Sequence, residues 1–378
     1  MLIVDEIIAS AKAKTGLAEI GDERILEGLN VLVDALNGEA ALSERGQVSF
    51  QTILVNTLAN RMRVEDWLKR HPALLERPIE RPMFVFGLPR TGTTLAINLL
   101  AEDPARRCLL RWEAFDSVPP PQPKELHAGP RYDAAKAALD LSIKYAPQIA
   151  AIHHEYADSP TECQFAMSPS FCAQYYESIA AIPSYRAWFL GADYRPAFEY
   201  HKRLLQLLQA NAPGRWTLKN PWHPLFLDAL TEIYPDAQLV MTHRDPVAVV
   251  GSACSLIKHV RVMFSDTVDL AAIGADMVDT FETMIARMLA YREQHGWDSI
   301  CDVSYKALTR DPVGEMQRVY AHFGETLSSA AEAAMRAYVD RNPQGKHGRH
   351  DYGLEEYGLS EGEVRERFAN YERKFLAS

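Results

Sequence analysis

A short apolar run followed by a glycine-containing loop constrains this chain more than any other feature. The run MFVFG ends at Gly87, and the loop Gly87-Leu-Pro-Arg-Thr-Gly-Thr-Thr leads into LAINLLAED, whose apolar residues have helical spacing. A glycine loop between a buried strand and a helix directs backbone N–H groups and the positive end of the helix dipole towards one point. The sequence therefore predicts a phosphate- or sulfate-binding cradle that begins an α/β unit.

The loop has the spacing of the nucleotide-triphosphate motif GxxxxGK[ST], but Thr93 occupies the position of its lysine. Arg90 lies inside the loop instead, and its guanidinium offers a fork of donors to an anionic group. A kinase-like phosphotransferase needs the lysine and also carboxylates for Mg²⁺. A P-loop nucleotide kinase and a non-catalytic nucleotide-binding protein are kept as alternative hypotheses.

The rest of the chain predicts one α/β core with helical additions. Residues 1–80 have apolar positions at three-to-four spacing, which indicates a helical N-terminal region. Residues 81–345 add the strand-like runs RWTLKN, AQLVMTHR and DSICDVSY between helical segments, which indicates a central parallel sheet. Within this core, about residues 113–212 form an aromatic-rich helical insertion. Residues 346–378 combine a basic tail with a final amphipathic helix.

Charge and cysteine content restrict the partners and the compartment. Forty Lys and Arg against 50 Asp and Glu give a net charge of −10, which argues against a protein that coats nucleic acid. An anionic ligand therefore needs a local basic pocket. The five cysteines form no CxxC pair, the N-terminus lacks a secretory leader, and no apolar tract reaches the roughly 20 residues of a membrane span. We expect a soluble cytoplasmic protein.

A second predicted strand also ends in a cation. AQLVMTHR ends at Arg244, and Ser252 follows eight residues later on a helix that Pro246 opens. An arginine at the carboxyl end of a strand faces the crevice where open α/β sheets bind ligands. Arg244 and Ser252 can then share one phosphate group, although pairing of Arg244 with a neighbouring carboxylate is an equal alternative.

A third predicted strand ends at Lys219, which is suited to stabilising charge on a transferring group. His223 follows four residues later and is the preferred general base, because imidazole titrates near neutrality. His154 and Glu162, both in the insertion, are alternatives for that role. A packing role for His223 is equally compatible with the sequence.

Together these residues resemble the sulfotransferases that use 3′-phosphoadenosine 5′-phosphosulfate, in particular their broad bacterial branch. The resemblance spans about residues 80–375 and implies a P-loop-like three-layer α/β fold. The family loop that binds the 5′-phosphosulfate matches Pro89 to Thr94 position for position. The resemblance therefore assigns 5′-phosphosulfate contacts to Arg90, Thr91, Gly92, Thr93 and Thr94. It assigns the 3′-phosphate to Arg244 and Ser252.

Two further contacts follow from the resemblance. Tyr305, in VSYKALTRDP, resembles the family tyrosine that lies beside the adenine, although Lys306-Ala307 replaces the usual acidic pair. Lys346 and Arg349 resemble the basic C-terminal element that closes on the 3′-phosphate. We therefore expect four separate basic segments to converge on one nucleotide.

The resemblance also implies a reaction. A hydroxyl of a small, partly apolar acceptor attacks the sulfur in line, with Arg90 and Lys219 supporting charge on the sulfuryl group and the leaving phosphate. The helical insertion forms the acceptor pocket, and His223 removes the proton. A sulfuryl group carries less charge than a phosphoryl group, so fixed cations and N–H dipoles suffice and no metal is expected.

Overall fold

A five-stranded parallel sheet forms the centre of the fold. The structure, a computed structural model, describes residues 1–145, 155–342 and 353–376. The strands are β1 (Met83–Gly87), β2 (Arg106–Cys108), β3 (Arg215–Lys219), β4 (Gln238–His243) and β5 (Ile300–Ser304). Their order is β2-β3-β1-β4-β5, and all four neighbouring pairs are parallel. The predicted central parallel sheet is confirmed.

Strand β1 is apolar along its whole length because helices cover both faces of the sheet. Alternate residues of a strand point to opposite faces. Phe84 and Phe86 belong to the larger apolar core, which includes the N-terminal helices and the insertion. Met83 and Val85 belong to a second core on the other face. These two cores and the sheet between them make the predicted three layers.

The N-terminal region and the insertion are helical, as expected. The region before β1 packs into the larger core through the apolar stripes of its helices. The insertion lies between β2 and β3. The helices up to β3 are α1 (Val4–Thr15), α2 (Ile25–Gly38), α3 (Glu44–Arg70), α4 (Thr93–Ala101), α5 (Arg111–Phe115), α6 (Pro130–Tyr145), α7 (Cys163–Met167), α8 (Gln174–Ile179), α9 (Pro183–Gly191) and α10 (Arg195–Leu208).

Helices also connect the last strands and end the chain. Asp245 accepts a hydrogen bond from the backbone N–H of Val247, and Pro246 occupies the first turn, so a helix begins directly after β4. Among the helices of the described ranges, none has the length and apolarity needed to cross a membrane. The helices after β3 are α11 (Leu227–Ile233), α12 (Pro246–Arg261), α13 (Leu270–His295), α14 (Tyr305–Arg310), α15 (Pro312–His322), α16 (Ser329–Arg341) and α17 (Glu361–Phe375).

Candidate functional site

The glycine loop joins the end of β1 to the start of α4, as the sequence predicts. Gly92 precedes the helix with φ +101°, a conformation that side chains rarely adopt. A Cβ on Gly92 would lie 2.9 Å from Cδ2 of Tyr305, so the glycine also allows that ring to approach the loop. Arg90 has φ +73°, and such strained non-glycine residues cluster at functional sites. The loop therefore has the backbone of an anion cradle.

The three threonines of the loop have different environments. The hydroxyl of Thr91 is fully buried, donates to the carbonyl of Leu88 at 2.6 Å and is hydrogen-bonded to the hydroxyl of Thr242 at 2.6 Å. Thr91 thus fastens the loop to β4, which leaves its backbone rather than its side chain for a ligand. Thr93 and Thr94, at the start of α4, line the adjacent cavity.

The predicted nucleotide contacts converge on the loop from distant parts of the chain. Nε of Arg90 donates to the hydroxyl of Ser252 at 3.0 Å, and Nη1 of Arg244 donates to the carbonyl of Arg90 at 2.9 Å. The guanidinium of Arg244 lies 4.3 Å from the centre of the Tyr305 ring, within cation–π distance. Two arginines, a serine hydroxyl and an aromatic face therefore surround the loop, which makes a local basic pocket in an acidic chain.

Lys219 ends β3 and forms a buried ion pair beside the same cavity. Its ammonium donates to Oε1 of Glu162 at 2.9 Å, and the amide of Gln164 donates to Oε2 of that carboxylate. An isolated parallel bridge joins the backbones of Glu162 and Lys219, which fixes the two side chains together. Lys219 is only 1% exposed, whereas Glu162 and Gln164 line the cavity. Lys219 therefore contacts a carboxylate that lines the cavity, while its own side chain is buried behind it.

His223 packs in the apolar core and does not line the cavity. Its ring is 1% exposed and lies against Phe84, Phe86 and Phe198, with ring centres 5.3, 6.4 and 5.7 Å away. Neither ring nitrogen has a hydrogen-bond partner among the described residues. Burial, with a smaller contribution from His201, lowers the pKa of His223 well below its usual value. The geometry thus favours the packing role for His223, whereas Glu162 lines the cavity.

The cavity has a volume of about 490 Å³ and extends from the glycine loop between the insertion and helices α12 and α13. Its polar wall contains Arg90, Arg111, Glu155 and Glu162. The remaining wall is largely apolar. It includes Phe165, Tyr175 and Ile179 from the insertion, and Ala253, Leu256, Ile257, Val260, Met263, Phe264 and Met277 from α12, α13 and the segment between them.

Sequence reasoning missed the contribution of α12 and α13 to this wall. It expected the aromatic insertion to supply the pocket, but many of those aromatics are core residues. Tyr185 and Tyr194 are almost fully buried. The Tyr185 ring stacks on Phe189, and the Tyr194 ring meets Phe189 edge-on. The available signal was the apolar series along α12 on the side of Ala253, Ile257 and Val260, which is spaced at three to four residues.

Three predicted residues cannot be placed in this site. His154, Lys346 and Arg349 lie outside the described residues. Within the ranges that the structure does describe, no group of three His, Cys, Asp or Glu side chains is arranged to hold a metal ion.

The family model described as "Sulfotransferase family" matches residues 82–329, and the chain belongs to that family. The protein is therefore a sulfotransferase with a P-loop-like α/β fold. The crystal structure of sulfotransferase STF9 from Mycobacterium avium matches this chain with a TM-score of 0.93 and 33% sequence identity, and the match covers 100% of this chain and 98% of the STF9 chain. The crystal structure of sulfotransferase STF1 from Mycobacterium tuberculosis H37Rv matches with a TM-score of 0.88 and 36% sequence identity, and it covers 98% of this chain and 99% of the STF1 chain.

The name of one curated relative includes the acceptor of that relative. The omega-hydroxy-beta-dihydromenaquinone-9 sulfotransferase Stf3 of Mycobacterium tuberculosis is 24% identical over 314 residues. The match covers 77% of this chain and 76% of that protein.

The close approach of Tyr305 to Gly92 makes a prediction about stability. Gly92→Ala places a Cβ against the Tyr305 ring. Gly129 has a similar φ of +106°, but a Cβ there would meet no atom of the described residues within 4 Å. Both substitutions strain the backbone, but only the first also overpacks its surroundings. We expect Gly92→Ala to lose about 1–3 kcal/mol more unfolding free energy than Gly129→Ala, measured by chemical denaturation. Equal losses would show that Tyr305 does not press on the loop.

Proposed function

We propose that the protein transfers the sulfuryl group of 3′-phosphoadenosine 5′-phosphosulfate to a hydroxyl of a small, partly apolar molecule. The main support for this proposal is that one cavity joins a basic end to largely apolar walls. Arg90, Arg244 and Tyr305 surround a glycine loop at one end of a cavity whose other walls are largely apolar. Glu162 lines the same cavity. An anionic donor and an apolar acceptor can therefore meet beside a carboxylate.

The residues present fit the donor. Backbone N–H groups of the loop and of the first turn of α4, together with Arg90, suit the 5′-phosphosulfate. Arg244 and Ser252 suit the 3′-phosphate, and the Tyr305 ring offers a face beside the adenine. Lys346 and Arg349 are proposed to add cations at the 3′-phosphate.

In the proposed reaction the acceptor hydroxyl forms a bond to sulfur as the bond from sulfur to the 5′-phosphate oxygen breaks. Glu162 takes the hydroxyl proton, and Lys219 balances the charge of that carboxylate while holding it in place. Arg90 and the N–H groups of the loop stabilise negative charge on the sulfuryl and leaving phosphate oxygens. The products are a sulfate ester and adenosine 3′,5′-bisphosphate, and Glu162 returns its proton to solvent.

The apolar wall supports an acceptor with a hydrocarbon portion. A cavity of about 490 Å³ is within the usual size of small-molecule sites. The Stf3 relative is named for a hydroxylated menaquinone derivative, which combines a hydroxyl with an apolar body. We propose an acceptor of this general kind, with its hydroxyl at Glu162 and its apolar portion along α12.

The cysteines support the cytoplasm as the proposed compartment. All five are free thiols and all are buried. Burial raises the pKa of Cys108 and of Cys254 to about 12, which leaves them as thiols rather than nucleophilic thiolates. No cysteine chemistry is therefore included in the proposed reaction.

The proposed base is tested with Glu162→Gln, which keeps the size of the side chain but cannot accept the proton. We expect turnover to fall about 10²–10⁴-fold, with unchanged affinity for adenosine 3′,5′-bisphosphate. The measurement is transfer of labelled sulfate from the donor to a long-chain primary alcohol. His223→Leu is the matched control, because an apolar side chain of similar volume replaces an imidazole that has no hydrogen-bond partner in the described part of the chain. Its turnover should stay within about threefold of the parent. Loss of turnover in His223→Leu alone would return the role to His223.

The proposed acceptor path is tested with two adjacent exposed residues, of which only one lines the cavity. Met263 is 37% exposed and lines the cavity, whereas Val262 is 50% exposed and does not. We expect Met263→Glu to raise KM for a long-chain alcohol about tenfold and to leave KM for a short alcohol unchanged, because it places a charge in an apolar path. Val262→Glu should change neither constant. Equal effects of the two substitutions would remove the segment that follows α12 from the acceptor path.

A further inference from the structure

The C-terminal helix α17 contacts the turn that carries Arg244. The hydroxyl of Tyr371 lies 3.1 Å from Nδ1 of His243, the last residue of β4. The ring of Phe375 stacks on the His243 ring, with centres 4.3 Å apart and planes inclined by 5°. A helix more than 120 residues away in sequence therefore holds His243, the residue directly before Arg244.

The hydrogen bonds around His243 show which of its ring nitrogens donates and which accepts. Nε2 of His243 lies 2.8 Å from Oδ1 of Asp302, which also accepts from Arg292, so Nε2 carries the proton that this carboxylate accepts. Burial lowers the pKa of His243, which keeps the ring neutral and leaves Nδ1 as an acceptor. The Tyr371 hydroxyl therefore donates to Nδ1 of His243.

Arg244 needs an anchor at this point because it follows the last residue of β4. The recorded pairing of β4 with β5 ends at His243. Arg365 of α17 also lies 3.5 Å from the carboxylate of Asp245, but both side chains are more than two-fifths exposed, and such pairs contribute little. Tyr371, in contrast, is 1% exposed. The buried contacts of Tyr371 and Phe375 with His243 therefore fix the residue directly before Arg244.

We propose that Tyr371 is a positioning residue for Arg244 and that α17 thereby sets the selectivity of the site for a nucleotide with a 3′-phosphate. This inference rests on the proposed function, in which Arg244 binds that phosphate. Tyr371 touches no part of the nucleotide in this proposal. It holds His243, and through the chain the backbone of the next residue, so that the Arg244 guanidinium can reach both the loop carbonyl of Arg90 and the phosphate. By linkage, a 3′-phosphate bound to Arg244 stabilises the docking of α17.

The test compares two ligands on matched tyrosine variants by calorimetric titration. Tyr371→Phe is expected to weaken adenosine 3′,5′-bisphosphate about three- to tenfold, the effect of one buried hydrogen bond, and to leave adenosine 5′-monophosphate within twofold. Tyr234→Phe is the control, because the Tyr234 hydroxyl makes the same kind of buried bond, 2.7 Å from Nδ1 of His201. It should leave both affinities unchanged. Each variant loses one hydroxyl and no carbon, so both are expected to fold.

Arg244→Gln separates failure of this inference from failure of the proposed function. The parent enzyme should prefer the bisphosphate over the monophosphate, and Arg244→Gln should abolish the preference. A parent without the preference would refute the proposed nucleotide site. A preference that depends on Arg244 but persists in Tyr371→Phe would overturn the positioning role. Equal weakening of both ligands in Tyr371→Phe would also overturn it, because that result indicates general loosening of the fold.

Discussion

The parallel register of three neighbouring strands is the constraint on which the rest of this structure depends. Because β3, β1 and β4 run in the same direction, their carboxyl ends meet at one edge of the sheet. Each end delivers a cation there: Lys219 from β3, Arg90 from the loop after β1, and Arg244 after β4. A chain with a net charge of −10 thus obtains a local basic site without a basic surface. The glycine loop adds the N-terminus of α4 to this edge.

The same edge also brings the two reactants together. The backbone of Glu162 pairs with Lys219, which extends the sheet edge by one bridge and brings a carboxylate to the cavity. A buried ion pair of this kind is costly when either partner is removed, so Lys219 and Glu162 depend on each other. The anionic donor lies on the loop side of this pair in our proposal, and the apolar acceptor lies on the side of α12. Chemistry is therefore confined to the boundary between a basic and an apolar environment.

Local sequence was sufficient to predict the strand–loop–helix unit and the cations at strand ends, because those features depend on neighbouring residues. It could not decide among His223, His154 and Glu162 as the base. After Lys219 the chain turns through Pro221 and Trp222, which line the cavity, and the following 3₁₀ turn directs His223 into the core. Glu162 reaches the site by a pairing across 57 residues, for which no local pattern exists. The burial of the Thr91 hydroxyl against β4 likewise depends on tertiary packing.

The central claim is that the basic edge recognises adenosine 3′,5′-bisphosphate rather than a nucleoside triphosphate. Calorimetric titration of the parent enzyme with the bisphosphate, and separately with ATP and Mg²⁺, tests this claim most directly. Thr93 replaces the lysine that a triphosphate site needs, while Arg244 is held beside the loop, so we expect the bisphosphate to bind at least about 100-fold more tightly. Binding of ATP with Mg²⁺ without binding of the bisphosphate would contradict the account.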